Sequence, residues 1–338
     1  MQDEHIILKR GSGPAAVFLL ILYLILCQAG TVSAKEASRT GFAFDTVVTI
    51  RIADAPDPEA LLDQCYELIG ELENLFSRTI EGSDIWNINH AEGKSVTVSE
   101  RTADLIRFSL SWCELTGGAF DITIAPASSL WDFTGETNAV PDEEVLKEAL
   151  THVNYLNVSV VGNTVTLSDP DAMLDLGAVA KGYASDLLKE LLEENGCGSA
   201  LINLGGNIMV VGKKPDGSDW NIGIRRPFSD TEDSIEVVPA SDLSVITSGS
   251  YERCFYQDGR LYHHILDPKT GMSADTGLSG VSIVSASGAV GDALSTACFV
   301  LGPEKGMELI ESLPGIEALF ITENEELIPS SGWQGSPL

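Results

Sequence analysis

The chain has 338 residues, enough for one large domain or two small ones, and its 44% hydrophobic and 21% charged residues exclude collagen-like and intrinsically disordered classes. With 20 Lys plus Arg against 50 Asp plus Glu, the net charge is -30, a field that repels phosphate backbones and argues against nucleic-acid binding through a basic surface. The same field opposes any anionic small ligand, so a site for one must supply its own donors or a metal.

Lys9 and Arg10 precede an apolar run from Ala15 to Cys27. That run is short of the roughly 20 residues of a membrane span and has the form of a signal-peptide core. Residues 1–34 are therefore read as a leader or membrane anchor, and 35–338 as a single domain placed outside the cytoplasm, on the outer face of the cell membrane. Val32-Ser33-Ala34 suits cleavage before Lys35, whereas Leu24-Ile25-Leu26-Cys27 resembles a lipobox with a bulky Leu ahead of the cysteine. Cleavage at Ala34, lipid at Cys27 and an uncleaved anchor all stay open. Cys27, Cys65, Cys113, Cys197, Cys254 and Cys298 show no close C-x-x-C spacing, so buried free thiols are expected in place of a disulfide framework or zinc site.

Gly41 to Arg51 reads as a strand, rich in β-branched and aromatic residues. Ala60 to Ser77 carries apolar residues three and four apart and is an amphipathic helix. A second helix runs from Ser99 to Thr116, stopped by Gly117-Gly118, and a third from Pro141 to Leu150. Val158 to Leu167 holds two short strands about Gly162-Asn163, and Lys181 to Glu194 is helical up to Gly196. Strand-like runs follow at Ala200 to Val211, Asn221 to Arg225, Ser244 to Thr247 and Gly280 to Val284, then helices at Asp292 to Leu301 and Glu304 to Leu313. Strands and helices mix without strict alternation, so the fold class is α+β rather than a doubly wound parallel sheet.

Chemistry-bearing residues gather in the loops. Asp175 to Tyr183 (DLGAVAKGY) sets a carboxylate, two glycines and Lys181 ahead of a helix, where backbone amides approach a phosphate; a tight turn explains the glycines equally well. Asn203 to Asn207 (NLGGN) reads by itself as a strand with a bulge. His264 can move a proton near neutral pH and Asp267 can orient it, although a histidine beside a turn is more often a structural hydrogen bond. Asp292 and Thr296 fall on one helix face and offer oxygen ligands suited to Mg²⁺; the same Asp292 also suits a helix N-cap.

Taken in order, FAFDTVVTI, LFSRTIEGSDIWNIN, GGAFDITIAP, DLGAVAKGYASD, NLGGNI, TSGSYER, HHILDPKTG and GDALSTA resemble the ApbE family of FAD:protein FMN transferases from Gly41 to about Leu313. The resemblance implies an α+β fold with mixed or antiparallel sheets, flanking helices and an FAD site in a cleft. It also implies Mg²⁺-dependent transfer of the FMN half of FAD to a Thr or Ser hydroxyl of a redox protein, with release of AMP. By the same resemblance Asp292, Thr296 and the carbonyl of Ala178 hold the metal, and His264 is catalytic with Asp267 beside it. Phe44, Asp45, Phe120, Asp121, Lys181, Gly205, Gly206, Ser248, Gly249, Arg253, His264 and Thr270 match segments that line the FAD site. Phe44 stands where many members have Met. The acceptors suggested are subunits of Nqr- or Rnf-type complexes and small FMN-binding domains. Two other outcomes stay open: hydrolysis of FAD to FMN and AMP, and a lipoprotein that binds FAD without reaction.

Overall fold

The structure is a computed structural model that describes residues 35–337 apart from 134, 136, 137 and 232. The leader, with Ala34 and Cys27, lies outside the described residues. A hairpin of β1 (Lys35–Ala43) and β2 (Thr46–Ala55) is followed by α1 (Pro58–Phe76), α2 (Asp84–Asn89), β3 (Val96–Thr97), α3 (Glu100–Leu115), α4 (Ala125–Ser128) and α5 (Glu143–Leu150). Strands β4 (Val158–Val161) and β5 (Thr164–Leu167) precede α6 (Ala180–Glu194), then β6 (Ser199–Leu204), β7 (Asn207–Val211), β8 (Trp220–Arg225), β9 (Ser234–Ala240) and β10 (Ser244–Gly249). The chain ends with β11 (Cys254–Gln257), β12 (Arg260–His263), β13 (Leu278–Ser285), α7 (Gly288–Glu311), β14 (Glu317–Thr322), β15 (Leu327–Pro329) and β16 (Ser336–Pro337).

Eight strands form one sheet in the order β1-β2-β6-β7-β10-β13-β14-β15, antiparallel at every pairing, in keeping with the α+β expectation. α1, α3, α6 and the start of α7 cover one face, where Leu62, Ile69 and Leu72 of α1 meet Val48, Ile50 and Ile52 of β2. Each such side chain removed from water contributes about 1.5–3 kcal/mol. A second sheet, β16-β9-β8, lies on the other face and packs Trp220, Ile222 and Ile224 against Val210, Val245 and Leu319. β13 is therefore covered on both sides and buries all of its residues. β2 sends Val48, Ile50 and Ile52 inward and leaves Val47 and Arg51 exposed on its outer face, which the second core reaches only at Ala53.

Two predicted strands are hairpins. Gly41 to Arg51 bends at Phe44-Asp45, whose φ angles of 51° and 55° make a two-residue turn without the Asn-Gly signature that would announce it. Ala200 to Val211 bends at Gly205-Gly206, with φ of 63° and 94°, so NLGGN is a turn and not a bulge. The helices expected at Asp292–Leu301 and Glu304–Leu313 form one element that starts earlier, at Gly288, and breaks at Gly302 (φ 79°) before Pro303. Ser287 caps it by accepting from Val290 N. α2, β9 and the β11–β12 hairpin are too short or too polar for the pattern reading to find. Cys65, Cys113, Cys197, Cys254 and Cys298 are all free, as expected, and burial pushes the thiols of Cys65, Cys113 and Cys298 up to about 12.

Candidate active site

The register places the Phe44-Asp45 turn, the Gly205-Gly206 turn and the end of β10 at one end of the large sheet. Non-glycine residues with positive φ store strain that surrounding contacts must hold. Here the Phe44 N–H donates to Glu73 Oε1 at 2.8 Å, and the Asp45 carbonyl accepts from an Arg253 guanidinium nitrogen at 3.2 Å. Gly205 admits no side chain, since a Cβ would stand 2.3 Å from Thr46 Oγ1. At the end of β10, Ser248 Oγ lies 2.8 Å from Ser295 Oγ and 3.4 Å from Thr296 Oγ1, tying the strand to α7.

α6 and α7 cross at two glycines. A Cβ on Gly182 would meet the Gly288 carbonyl oxygen at 2.1 Å, so the backbones touch. Each helix caps the other. Asp186 of α6 accepts from Gly288 N at 2.5 Å, Ala289 N at 3.0 Å and Ser287 Oγ at 2.7 Å, at the start of α7. Burial raises its pKa, and those same donors pull it back. In return Asp292 Oδ2 of α7 accepts from Gly182 N at 2.9 Å, near the start of α6, where the N-cap residue Val179 has no side chain that can cap. The N-cap alternative for Asp292 is thus half right: it serves the neighbouring helix, not its own.

That bond uses only one oxygen of Asp292. Its Oδ1 stands 4.0 Å from Lys181 Nζ, and the carboxylate is 4% exposed. Thr296 follows one turn later, and Ala178 lies just before α6. A carboxylate oxygen with no hydrogen bond among the described residues, a hydroxyl and a neighbouring carbonyl are hard oxygen donors of the kind Mg²⁺ takes, so these residues fit the ion. Lys181 Nζ also donates to Gly177 O at 3.3 Å, and Asp175 shapes the same loop by accepting from Gly177 N at 2.8 Å while Arg78 Nε pairs with it at 3.3 Å.

His264 follows β12, its N–H donating to the Arg253 carbonyl at 3.1 Å. The residue has an open face to solvent. Loss of surrounding water, then the positive charges of Arg253, His263 and Lys181, push its pKa down to about 3. The open face tempers that displacement without changing its direction, and the imidazole is neutral at pH 7. Lys181 pairs with Asp292, and its positive charge is also felt at His264.

Other expected residues sit differently. Among the described residues no hydrogen bond joins Asp267 to His264. Asp267 Oδ1 instead accepts from Lys269 N at 2.9 Å and closes its own turn, so a role in orienting the imidazole is not what the geometry gives it. Thr270 Oγ1 accepts from Met272 N at 3.3 Å in that turn, and the Gly271 carbonyl is held by Trp131 Nε1 at 2.9 Å. Phe120 is buried in the core. Asp121 accepts from Thr123 N, Thr123 Oγ1 and Tyr155 N at 2.8, 2.6 and 3.2 Å and acts as a loop clamp. Asp186, Glu73 and Arg78 belong to the site's framework; Asp186 and Arg78 lie within DLGAVAKGYASD and LFSRTIEGSDIWNIN without a role being legible there, and Glu73 lies outside every motif, because each acts on a partner far away in the chain. His152, Asp169 and Asp171 also bring ligand atoms within 4.8 Å of one another. His152 Nδ1 is paired with Asp169 at 2.9 Å, however, and that bond raises its pKa, so an ion pair accounts for the group.

A profile of the ApbE family matches residues 44–320. Over 335 residues the chain is 36% identical to an FAD:protein FMN transferase of Treponema pallidum, covering 92% of each chain. Against one from Klebsiella pneumoniae it is 37% identical over 276 residues, 81% of this chain and 85% of that one. The solved ApbE protein of Thermotoga maritima superposes with a TM-score of 0.82 at 32% identity, over 88% of this chain and 97% of that one. The apo flavinyl transferase of Pseudomonas stutzeri gives 0.78 at 30% identity, over 89% and 96%.

Proposed function

Because this chain belongs to the ApbE family, we propose that it transfers the FMN half of FAD to a Thr or Ser hydroxyl of an acceptor protein and releases AMP. The observation that carries the reading is Asp292, which caps α6 through one oxygen and keeps the other, 4.0 Å from Lys181 Nζ, out of any hydrogen bond among the described residues, one turn before Thr296. A proton acceptor, cationic groups and an oxygen-donor set then belong to one candidate site.

Asp292, Thr296 and the Ala178 carbonyl would hold Mg²⁺, which when bound neutralises charge on the FAD pyrophosphate. The chain's own residues do the rest. Lys181 and Arg253 offset the net charge of -30 where the pyrophosphate would lie. The acceptor hydroxyl gives its proton to the free nitrogen of His264 as its oxygen bonds to the phosphorus carried by FMN. The anhydride bond to AMP breaks, and AMP leaves with the electron pair. Asp267 and Thr270 keep the strap after His264 in place. The leader supports placement of this chemistry at the outer face of the membrane, and the acceptors that fit are Nqr- or Rnf-type subunits or FMN-binding domains.

FAD affinity and flavinylation of such a domain, measured at matched Mg²⁺, test the reading. Asp292→Ala should abolish transfer and weaken FAD binding. His264→Ala should keep FAD binding and lose about 10²–10⁴-fold in transfer. With the imidazole's pKa held low, wild-type kcat/KM should stay flat as pH falls through 6.5, where an ordinary histidine would protonate. Transfer at the wild-type rate by His264→Ala would refute the base. Free FMN and AMP without labelled acceptor would favour hydrolysis, and intact FAD would favour simple binding.

A further inference from the structure

We infer that an extended segment of the acceptor protein docks on the corner built from Phe42 and Val47 of the β1–β2 hairpin and from Phe228, beside the loop 249–253. The inference rests on the transferase reading, which requires a protein hydroxyl to reach the site. Phe42 and Val47 are cross-strand partners, 73% and 57% exposed, on the outer face one pair away from the Phe44-Asp45 turn. Scattered exposed apolar residues are ordinary, whereas an in-register aromatic and β-branched pair at the rim of a site is a contact surface in waiting.

The rim continues through named contacts. Asp45 accepts from Arg253, and in the same loop the Tyr251 ring meets Phe228 edge-on at 6.0 Å. Phe228 is 47% exposed at φ 54°, so a large aromatic is held outward in a conformation that costs energy. Charge narrows the occupant. Residues 35–55 carry Lys35, Arg39 and Arg51 against Glu36, Asp45 and Asp54, a net charge of zero in a chain of -30. Arg51 pairs with Glu36 and Arg39 turns to Asp63 and Glu59 of α1, so the hairpin itself adds nothing to the repulsion that the rest of the chain exerts on acidic partners. Among the described residues β1 is also an edge of the eight-stranded sheet, the kind of strand an extended segment can pair with. The occupant is a strand-like acceptor segment with apolar side chains beside its Thr or Ser.

Phe42→Ser, Phe228→Ser and the double variant test this against a small FMN-binding domain that the wild type flavinylates. The expected result for the double variant is an acceptor KM at least tenfold higher, with KM for FAD and kcat at saturating acceptor unchanged. Direct binding of an acceptor whose threonine is replaced by valine should weaken by a similar factor. An unchanged acceptor KM overturns the proposal. So does a parallel rise in KM for FAD, which would make these residues part of the flavin pocket. Failure of the underlying reading has its own signature: a wild type that cleaves FAD yet labels no acceptor.

Discussion

The α6–α7 crossing and the rim of turns at the end of the large sheet both contribute to the candidate site and are built on opposite terms. At the crossing two buried carboxylates, Asp186 and Asp292, satisfy helix N-termini across the interface, and two glycines bring the backbones into contact. At the rim, Phe44, Asp45 and Phe228 hold positive φ in half-buried or exposed positions, with few contacts beyond a hydrogen bond or a ring edge. The difference matches the chemistry each must serve. An ion site needs fixed oxygens, and a buried carboxylate held through one oxygen by a backbone N–H keeps its other oxygen in one place. A surface that admits FAD and then a protein segment needs exposed groups that can adjust.

Substitution at the crossing should have the larger effects. Gly182→Ala drives a Cβ into the Gly288 backbone, which has no flexible end to move, and should cost about 3 kcal/mol or more in urea unfolding along with transfer activity. A loss below about 1 kcal/mol would mean the helices slide freely and the cradle is not rigid. Asp186→Ala strips three donors at the start of α7 of their acceptor and should cost about 2 kcal/mol. Asp186→Asn, which keeps an acceptor oxygen, should recover part of that.

Effects at the rim should be smaller. Gly205→Ala combines positive φ with a clash against the Thr46 side chain, which can rotate, so about 1–2 kcal/mol is expected. A cost equal to that of Gly182→Ala would erase the contrast. Far from both, His152 gives the smallest effect. Its bond to Asp169 raises the folded-state pKa above 6.5, so the pair's stabilisation is full below about pH 6.5 and is lost as pH rises through the raised value. His152→Ala should lower stability by under about 1 kcal/mol at pH 5.5 and by almost nothing at pH 8.5, as read from Tm at the two values.

The sequence by itself determined the elements whose signal is local. The α1 helix follows from apolar residues three and four apart, α3 from the same period ended by a glycine pair, and the α+β class from the mixture of elements. It also assembled the candidate residues, because eight segments in a fixed order carry more information than any one loop. The tertiary structure decided what depends on contacts between distant parts of the chain. A Phe-Asp turn has no turn signature, and only its bonds to Glu73 and Arg253 show how its strain is held. Asp267 looks like a partner for His264 three residues away, yet the turn it lies in spends its carboxylate on the turn's own backbone. Asp292 reads equally as a ligand or as a cap, and the crossing of α6 and α7 makes one oxygen a cap for the other helix and leaves the second without a hydrogen bond among the described residues. Patterns along the chain report which face of an element is apolar; how each polar atom is used is fixed only when another element supplies or withholds its partner.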